Sequence, residues 1–352
     1  MTRTGILRIA LAVSLVFFAI VTHAPRWMAV IPFISSAAAD SDGVEDLSAA
    51  EKLPRTSISV NVDMVSMQVL VSDDSGNVIT GLRPENFTIY EDGVKQEISH
   101  FSPMEANVTV VMLIEFSKRN EYFLDDVQDA MFEFVRTLRP GDWTAVVSYD
   151  MRTTILSDFT QNRNEVYSVL RQLNLSFPSW NESNVSDAVI EMIDSTQEIE
   201  GKTAILLISS GLDTFSRHTY QQALNACKNA SASIYAIGIG RFIREYYDAR
   251  GQISQSTNMD FLMGDNRLKS FADYTGGAAF FPRYSTELPA IFNNISKALR
   301  SQYSLGYVST NTKKDGKFRN VKVEVKTDIK DKKGKPIKTK VVTRKGYTAK
   351  SF

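Results

Sequence analysis

Strand-length apolar runs alternate with segments of helical spacing over nearly 200 residues of this 352-residue chain. The runs are VTVVMLIEF, WTAVVSYD, AILLISS and SIYAIGIG. The segments with helical spacing are residues 121–139, 163–174, 185–199, 219–230 and 287–303. An apolar and β-branched run without polar alternation is typical of a strand buried on both faces. The alternation therefore predicts an α/β domain with a doubly wound, mostly parallel sheet.

The residues on either side of this region carry β patterning instead. SISVNVDMVSMQVLVSD and NFTIYEDGVKQEISHF precede it, and YSLGYVS, RNVKVEVKT and KTKVVTRKGYTA follow it. Neither set is large enough to close a core by itself. We expect the two sets to pair as one small antiparallel β domain into which the α/β domain is inserted. The segment MRTTILSDFT, directly after WTAVVSYD, predicts a short edge strand in a hairpin.

The N-terminus has the features of an export signal. Arg3 and Arg8 stand near an apolar stretch of about 13 residues, shorter than the ~20 that a spanning helix needs. SSAAAD then offers a cleavage site after Ala39. We expect a secreted or periplasmic protein; an uncleaved anchor assisted by WMAVIPFI, with membrane contact through this segment alone, is the alternative. The predicted division is a signal peptide 1–39, a linker 40–53, a β segment 54–106, the α/β domain 107–302 and a second β segment 303–352.

Composition excludes several classes of protein and site. With 43% hydrophobic and 23% charged residues, the chain is an ordinary globular protein. The single cysteine, Cys227, allows no intrachain disulfide, and three histidines without a cysteine cluster make the usual zinc sites nearly impossible. No His or Cys nucleophile constellation and no suitably placed glycine-rich phosphate loop occurs, so we expect no enzymatic activity.

Charge is balanced over the whole chain but not along it. Residues 311–352 contain 15 Lys and Arg against 4 Asp and Glu. Nucleic-acid binding is one interpretation of this basic end, but the lysines concentrate in DIKDKKGKPIKTK, which is typical of a solvated hairpin loop. We favour the loop and expect no nucleic-acid partner.

Four motifs together, GDWTAVVSYD, VSDAVIEMI, SASIYAIGIG and YTGGAAFF, resemble the von Willebrand factor type A (VWA) domain. The flanking β segments resemble those of a bacterial group of exported proteins that carry this domain. The resemblance implies a metal-ion-dependent adhesion site: an Asp-x-Ser-x-Ser loop after the first strand, a Thr before the third helix and an Asp after the fourth strand. In that family, hydroxyls and carboxylates hold Mg²⁺ or Mn²⁺, which leaves one position for an acidic group of a protein partner.

Carried over to this chain, the motif falls on Glu115, Ser117 and Arg119, on Ser183, and on Ser210. Ser210 lacks a carboxylate, and Arg119 introduces a fixed cation. Unit charges 4 Å apart repel by about 4 kcal/mol at an effective dielectric near 20, and Mg²⁺ beside a guanidinium by about double. We therefore expect no tight divalent site and no cofactor. Arg119 either pairs with Glu115 or points to solvent while Ser117 caps the following helix.

The sequence offers two further groups of candidate residues. If a cation does bind, its ligands would come from Glu115, Ser117, Ser183, Asp187 and Asp213. The segment after the fifth strand, RFIREYYDARGQISQSTNMDFLMGDNRL, predicts either a functional loop at the same edge of the sheet or a disordered insertion. Within 241–267, the side chains that we expect to contact a partner are Arg241, Arg244, Tyr246, Tyr247 and Phe261.

The sequence thus predicts an exported, non-enzymatic interaction or adhesion module with a degenerate metal site. We expect it to bind a protein or peptide at the carboxyl edge of its sheet. The partner-binding set is Glu115, Ser117, Arg119, Ser183, Ser210, Asp213 and the five residues of the loop. Two alternatives stay open: a structural component of an envelope assembly that acts through its β domain, and cation-dependent binding through Glu115, Ser117, Ser183 and Asp213.

Overall fold

The computed structural model of the chain describes residues 64–73, 78–103, 107–173, 182–199, 201–251, 254–327, 329 and 337–351. The predicted signal peptide and linker lie outside these residues. Within the described residues, no helix has both the length and the apolar character that crossing a membrane requires.

The described chain begins with four strands that precede the α/β region. They are β1 (Met64–Asp73), β2 (Phe87–Glu91), β3 (Val94–Gln96) and β4 (Ile98–Pro103). A tight turn at Asp92 and Gly93, both with positive φ, joins β2 to β3.

The central sheet has six strands in the described part of the chain. They are β5 (Val108–Glu115), β6 (Trp143–Tyr149), β7 (Thr153–Thr160), β8 (Lys202–Ser209), β9 (Ser233–Gly238) and β10 (Ala279–Phe280). Their order is β10-β9-β8-β5-β6-β7, and every pair is parallel except the β6–β7 hairpin. The fold is therefore α/β with a mostly parallel sheet, and β7 is the antiparallel edge strand that the hairpin signal predicts.

Seven α-helices connect and cover these strands within the described residues. They are α1 (Leu124–Thr137), α2 (Arg163–Gln172), α3 (Val185–Thr196), α4 (Tyr220–Asn229), α5 (Gly240–Asp248), α6 (Gln255–Thr275) and α7 (Leu288–Arg300). The prediction of a loop over 241–267 is wrong, because this segment forms α5 and the first half of α6.

Helices bury both faces of the sheet. Successive side chains of a strand point to opposite faces, so alternate residues of β5 belong to different cores. On one face, Val110 and Met112 of β5 pack with residues of α1, α2, α5 and α7. On the other, Val111 and Leu113 pack with residues of α3, α4 and α6, including the free thiol of Cys227. Burial raises the pKa of this thiol to about 12, as expected of an inert core cysteine.

The last four strands join the first four in two antiparallel sheets. They are β11 (Tyr303–Val308), β12 (Phe318–Val325), β13 (Thr339–Val342) and β14 (Gly346–Thr348). One antiparallel sheet has the order β13-β1-β11-β4 and the other β14-β12-β2-β3. A shared core that includes Val69, Ile89, Leu305 and Val323 lies between these two flanking sheets, which form a β sandwich.

A buried cluster of charged residues lies at the amino edge of the central sheet, where the parallel strands begin. The Asp142 carboxylate accepts hydrogen bonds from the Val108 amide (3.0 Å) and from the Arg300 guanidinium (2.5 Å). Lys202, 2% exposed, donates from Nζ to the Leu299 carbonyl oxygen. Burial, with a smaller effect from the Arg300 charge, lowers the pKa of Lys202 to about 7.

Candidate binding site at the carboxyl edge of the sheet

A buried glutamate lies where the central strands end. β5 ends at Glu115 and its parallel neighbour β8 ends at Ser209, so their polar termini meet at one edge. Glu115 is 1% exposed, and its Oε1 accepts a hydrogen bond from Ser117 Oγ (2.9 Å). Its Oε2 accepts from Ser209 Oγ (3.0 Å) and from the Ser210 amide (2.6 Å). The Ser210 hydroxyl lies 2.9 and 2.8 Å from the two carboxylate oxygens.

These hydrogen bonds offset the desolvation free energy of burying the Glu115 carboxylate. A buried charge is tolerated only when it is paired or hydrogen-bonded, and hydrogen bonds to charged groups contribute about 1.5–3 kcal/mol each. Three serine hydroxyls and one amide surround the Glu115 carboxylate, so its acceptor positions are filled by the protein itself.

Tyr149 and Ser209 extend the network, and sequence reasoning did not identify either. Tyr149, at the end of β6, donates its hydroxyl to Ser209 Oγ (2.7 Å), which also accepts from the Gly211 amide (2.8 Å). Burial and the nearby charge of Glu115 raise the pKa of Tyr149 well above its ordinary value, so the phenol stays a neutral donor. The available signal was position: each residue is the next-to-last of an apolar run that predicts a strand.

A short 3₁₀-helix, Lys118–Phe123, follows β5; Ser117 precedes it and Arg119 lies within it. Ser117 stands at the N-cap position, but its hydroxyl makes no capping hydrogen bond and donates to Glu115 instead. The alternative in which the Ser117 side chain caps the following helix is therefore wrong, although Ser117 occupies the cap position. The Arg119 side chain lies outside the described part of the structure, so its pairing with Glu115 stays a prediction.

Ser183 and Asp213 lie on neighbouring segments of the same edge. The Ser183 amide donates to Thr214 Oγ1 (2.9 Å), and the Thr214 amide donates to the Ser183 carbonyl oxygen (2.9 Å). The buried Ser183 hydroxyl is close to the Tyr149 phenol but makes no hydrogen bond of standard geometry with the described residues. Asp213 accepts from the Ser186 hydroxyl and from the Ser216 amide (3.3 Å).

Asp187, in the first turn of α3, fastens the loop between β8 and α4. Its carboxylate accepts from the amides of Arg217 (3.0 Å) and His218 (2.9 Å), and it contacts His218 Nδ1 at 2.7 Å. Burial alone would raise the pKa of Asp187, but these hydrogen bonds outweigh it and hold the pKa below its usual value. Asp187 thus has a structural role in this loop.

The residues at this edge do not fit the divalent cation that the VWA resemblance implies. A magnesium site needs oxygen ligands that converge with near-ideal octahedral geometry. Here both oxygens of Glu115 face serine donors, Asp213 is bonded to Ser186, and Asp187 holds the following loop. Within the described ranges, no group of three or more His, Cys, Asp or Glu side chains could hold a metal ion.

The residues predicted in 241–267 divide into buried and half-exposed ones. Phe261 is 2% exposed and belongs to the core, so its predicted contact with a partner is wrong. Tyr246 is half-buried, with its ring edge-on to Phe123 at 5.9 Å and the Arg250 guanidinium 3.6 Å from its ring centroid. Tyr247 is also half-buried and packs on the core from α5.

The two predicted arginines of α5 face an acidic residue of α6. Arg244 lies 3.8 Å from the carboxylate of Asp265 and donates to the Asn258 side chain (3.3 Å). Burial raises the pKa of Asp265, while the charges of Arg244 and Arg241 act in the opposite direction. Arg241 and Arg244 are each half-buried, and their role in binding stays a prediction.

Burial corrects part of the predicted binding set. Glu115, Ser117, Ser183 and Ser210 are each at most 1% exposed, so none of them presents atoms to a partner. Their hydrogen bonds hold the loops at this edge in position.

Large apolar side chains are exposed around this edge instead. Met151 is in the β6–β7 turn, Phe215 is in the β8–α4 loop, and Met259, Leu262 and Met263 are on the first half of α6. Phe215 is 70% exposed, and a cleft of about 520 Å³ opens beside it. We call these five residues the edge apolar group. Sequence reasoning named none of them: Met151 and Phe215 are lone apolar residues in polar turns, and the three residues of α6 lie in the segment predicted as a loop.

Two glycines bring α6 against the end of β8. Gly211, directly after the serine pair, has a φ of +75°, a conformation that favours glycine. A Cβ at Gly211 would lie 2.5 Å from the carbonyl oxygen of Gly264 in α6. This close approach fixes the N-terminal half of α6, with its exposed methionines, beside the site.

Comparisons with known proteins find similarity in structure. No protein-family model matches the chain, and no curated protein matches it. Among solved structures, BatB from Bacteroides thetaiotaomicron is 15% identical over 55% of this chain and 100% of its own, with a TM-score of 0.41. The vWF domain of the pilus tip protein Mfa5 from Porphyromonas gingivalis is 17% identical over 56% and 96%, with a TM-score of 0.42. A von Willebrand factor type A protein from Catenulispora acidiphila is 12% identical over 81% and 74%, with a TM-score of 0.41.

Proposed function

We propose that the chain is an exported, non-enzymatic interaction module that binds a protein or peptide at the carboxyl edge of its central sheet. The edge apolar group carries this proposal. Five large apolar side chains are exposed on segments at this edge, and exposed apolar side chains that cluster at one place mark interaction sites. Half-exposed Tyr246 and the arginines of α5 add residue types that are enriched in protein interfaces.

Binding at this edge is independent of a divalent cation. The Glu115 carboxylate takes the place of an ion as the centre of the edge, and the hydroxyls of Ser117, Ser209 and Ser210 converge on it. These contacts join the loop after β5 to the loop after β8. The network fixes both loops in position, and the exposed side chains that they and α6 carry contact the partner.

Export rests on the N-terminal sequence. The basic start, the apolar stretch and the Ala-x-Ala site direct the chain to a periplasm or to the outside of the cell. The partner is therefore an envelope or extracellular protein.

A capture experiment with matched variants tests the proposal. The full-length chain is immobilised and incubated with the native envelope fraction, and the retained proteins are quantified by mass spectrometry. Phe215→Ser should reduce retention of the specific partner at least tenfold, because exposed aromatic anchors dominate interface energies. Val94→Ser is the control, because Val94 is also a large exposed apolar residue (56%) but lies on β3 in the β sandwich.

Equal retention by the wild type and by Phe215→Ser would refute binding at this edge. If substitutions in 311–345 alone reduced retention, the chain would act through its β sandwich as a structural component. Wild-type retention that requires added Mg²⁺ and disappears in a chelator would refute the metal-independent mechanism.

A further inference from the structure

The β sandwich contains a second cleft, of about 420 Å³, between the end of β11 and the strand β14. Four cationic side chains line it, Lys313, Lys314, Arg344 and Lys350, and no carboxylate side chain does so among the described residues. We call it the basic cleft. The cationic C-terminal end of the sequence therefore contributes to a formed concavity as well as to the predicted lysine-rich loop.

Hydrogen bonds hold one of the four cationic groups, the Arg344 guanidinium, in a defined position. The Arg344 guanidinium donates from Nε to the Gly346 carbonyl oxygen (2.8 Å) and from a terminal nitrogen to the Lys228 carbonyl oxygen (2.8 Å). These two carbonyl contacts orient the guanidinium without neutralising it. An arginine stays protonated even when burial lowers its pKa, as it does here.

The buried carboxylate behind the cleft does not cancel this charge through an ion pair. Glu91 is 2% exposed and accepts hydrogen bonds from the hydroxyls of Tyr307 (2.8 Å), Ser309 (2.7 Å) and Tyr347 (3.0 Å). Three neutral donors therefore hold Glu91, and no ion pair joins it to Arg344 in the described part of the chain. The described residues that line the cleft therefore carry a net positive charge.

An open strand edge borders the cleft. β14 is the terminal strand of its sheet and pairs only with β12. Hydrogen bonds from the Ala349 amide to Lys317 and from the Val321 amide to Lys345 show that the odd-numbered residues of this segment face β12. Since the pattern alternates along an antiparallel strand, the amide and carbonyl groups of Thr348 point to the open side, where the cleft lies.

Apolar side chains complete the mouth of the cleft. Met64 and Val308 are opposite each other on β1 and β11, and they are 49% and 44% exposed. A strand that pairs with a sheet edge presents alternate side chains to opposite faces. Such a strand can place acidic groups toward the lysines while its other side chains contact these apolar residues.

We propose that the basic cleft binds an extended acidic segment of a partner protein, which adds as a strand to the open edge of β14. This site is separate from the carboxyl edge of the central sheet, and it uses none of the edge apolar group. A phosphate or a nucleic-acid backbone could pair with the lysines, but it would not form strand hydrogen bonds with β14 or apolar contacts with Met64 and Val308.

Fluorescence anisotropy with the full-length chain tests the charge component. The probe is a fluorescein-labelled octapeptide of alternating Val and Glu, and the same peptide with Lys in place of Glu is the sequence control. The Val-Glu peptide should bind more weakly as salt is added, and the Val-Lys peptide should not bind. Reversing two charges with Lys313→Glu and Lys314→Glu should weaken binding at least tenfold, whereas Lys338→Glu with Lys340→Glu, near and on β13, should change it less than twofold.

Two changes that keep the charges test strand addition. Thr348→Pro removes the outward amide of the open edge, and an edge strand tolerates proline. This variant should weaken binding of the Val-Glu peptide at least tenfold while thermal unfolding stays close to that of the wild type. Two N-methylated versions of the Val-Glu peptide extend this test, one methylated at the odd-numbered amides and one at the even-numbered amides. Because an added strand pairs with the edge through every second amide, one version should lose binding and the other should keep it.

Three results would overturn the proposal. They are equal binding of the Val-Glu and Val-Lys peptides, equal loss in the β13 control variant, and unchanged binding by both Thr348→Pro and the two N-methylated peptides. A 20-base-pair DNA duplex that binds the cleft more tightly than the Val-Glu peptide would assign it to nucleic acid instead. Phe215→Ser should leave peptide binding unchanged, so failure here is distinguishable from failure of the proposed function.

Discussion

Replacing Ser210 by aspartate restores the carboxylate that the VWA motif has at this position, and its effect follows from the contacts of Glu115. The Ser210 hydroxyl lies 2.9 and 2.8 Å from the two oxygens of the Glu115 carboxylate. An aspartate there places a second negative charge beside the first, and we take their separation as about 4 Å. At an effective dielectric near 20, this repulsion is about 4 kcal/mol.

The same substitution removes a hydroxyl donor, which adds about 1.5–3 kcal/mol. We therefore expect Ser210→Asp to lower the free energy of unfolding by at least about 4 kcal/mol in a chelator. Ser210→Asn is the matched control, because it has the same shape without the charge and should lose much less. Urea unfolding followed by circular dichroism at neutral pH measures both.

Added Mg²⁺ should stabilise Ser210→Asp and have no effect on the wild type or on Ser210→Asn. Two carboxylates in contact create the charge that a divalent ion needs, and an ion at a hundredfold excess over its dissociation constant contributes about 2.7 kcal/mol. If Ser210→Asp is as stable as Ser210→Asn in the chelator, the contact argument is wrong. If Mg²⁺ stabilises the wild type, the conclusion that the site does not fit a metal is wrong.

Three other predictions concern the amino edge of the central sheet and the loop after β8. Because Lys202 has a pKa of about 7 in the fold against 10.5 when unfolded, the unfolded chain binds more protons between these values. The free energy of unfolding should therefore rise from pH 7 to pH 10.5 by up to about 5 kcal/mol, and Lys202→Met should flatten this rise in urea titrations. Gly211→Ala should cost about 2–4 kcal/mol in thermal unfolding, because its φ of +75° and the Gly264 carbonyl both oppose a Cβ. The pKa of Asp187 is lowered in the fold, so its contribution is fully present above pH 3.8 and is lost as the pH falls below that value through the folded pKa. Asp187→Asn should therefore be destabilising at pH 7 and progressively less so as the pH falls below 3.8.

The architecture of the central domain is predictable from the sequence because its local patterns agree with its tertiary environment. β5 reads as a strand buried on both faces, and all eight of its residues are buried. The segment predicted as a helix over 121–139 contains α1, and its buried residues repeat at helical spacing. The hairpin of β6 and β7 follows from the same reasoning.

The segment after β9 could not be predicted, because two of its features point away from helix. Its polar residues around Gly251 read as a loop. In α6 the exposed apolar residues Met259, Leu262 and Met263 lie beside the buried Gly264, so hydrophobic periodicity does not mark the buried face. Gly264 is explained only by its contact with Gly211, more than 50 residues away.

The meeting of Glu115, Ser117 and Ser210 at one edge of the sheet was predictable, but their hydrogen bonds were not. The motif located Glu115, Ser117 and Ser210 correctly at one edge, where they contact each other. Sequence reasoning sought a partner for Glu115 in Arg119, four residues away. Ser209 and Tyr149 come from the strands on either side of β5, and only the sheet order and register bring the Ser209 hydroxyl to this carboxylate and the Tyr149 hydroxyl to Ser209.

Capture of the partner by the full-length wild type in a chelator, compared with capture in millimolar Mg²⁺, tests the central claim most directly. Because serine hydroxyls and an amide fill the acceptor positions of Glu115, we expect equal retention of the Phe215-dependent partner under both conditions. Retention that is lost in the chelator and recovered with Mg²⁺ would contradict the account and assign the edge to cation-dependent adhesion.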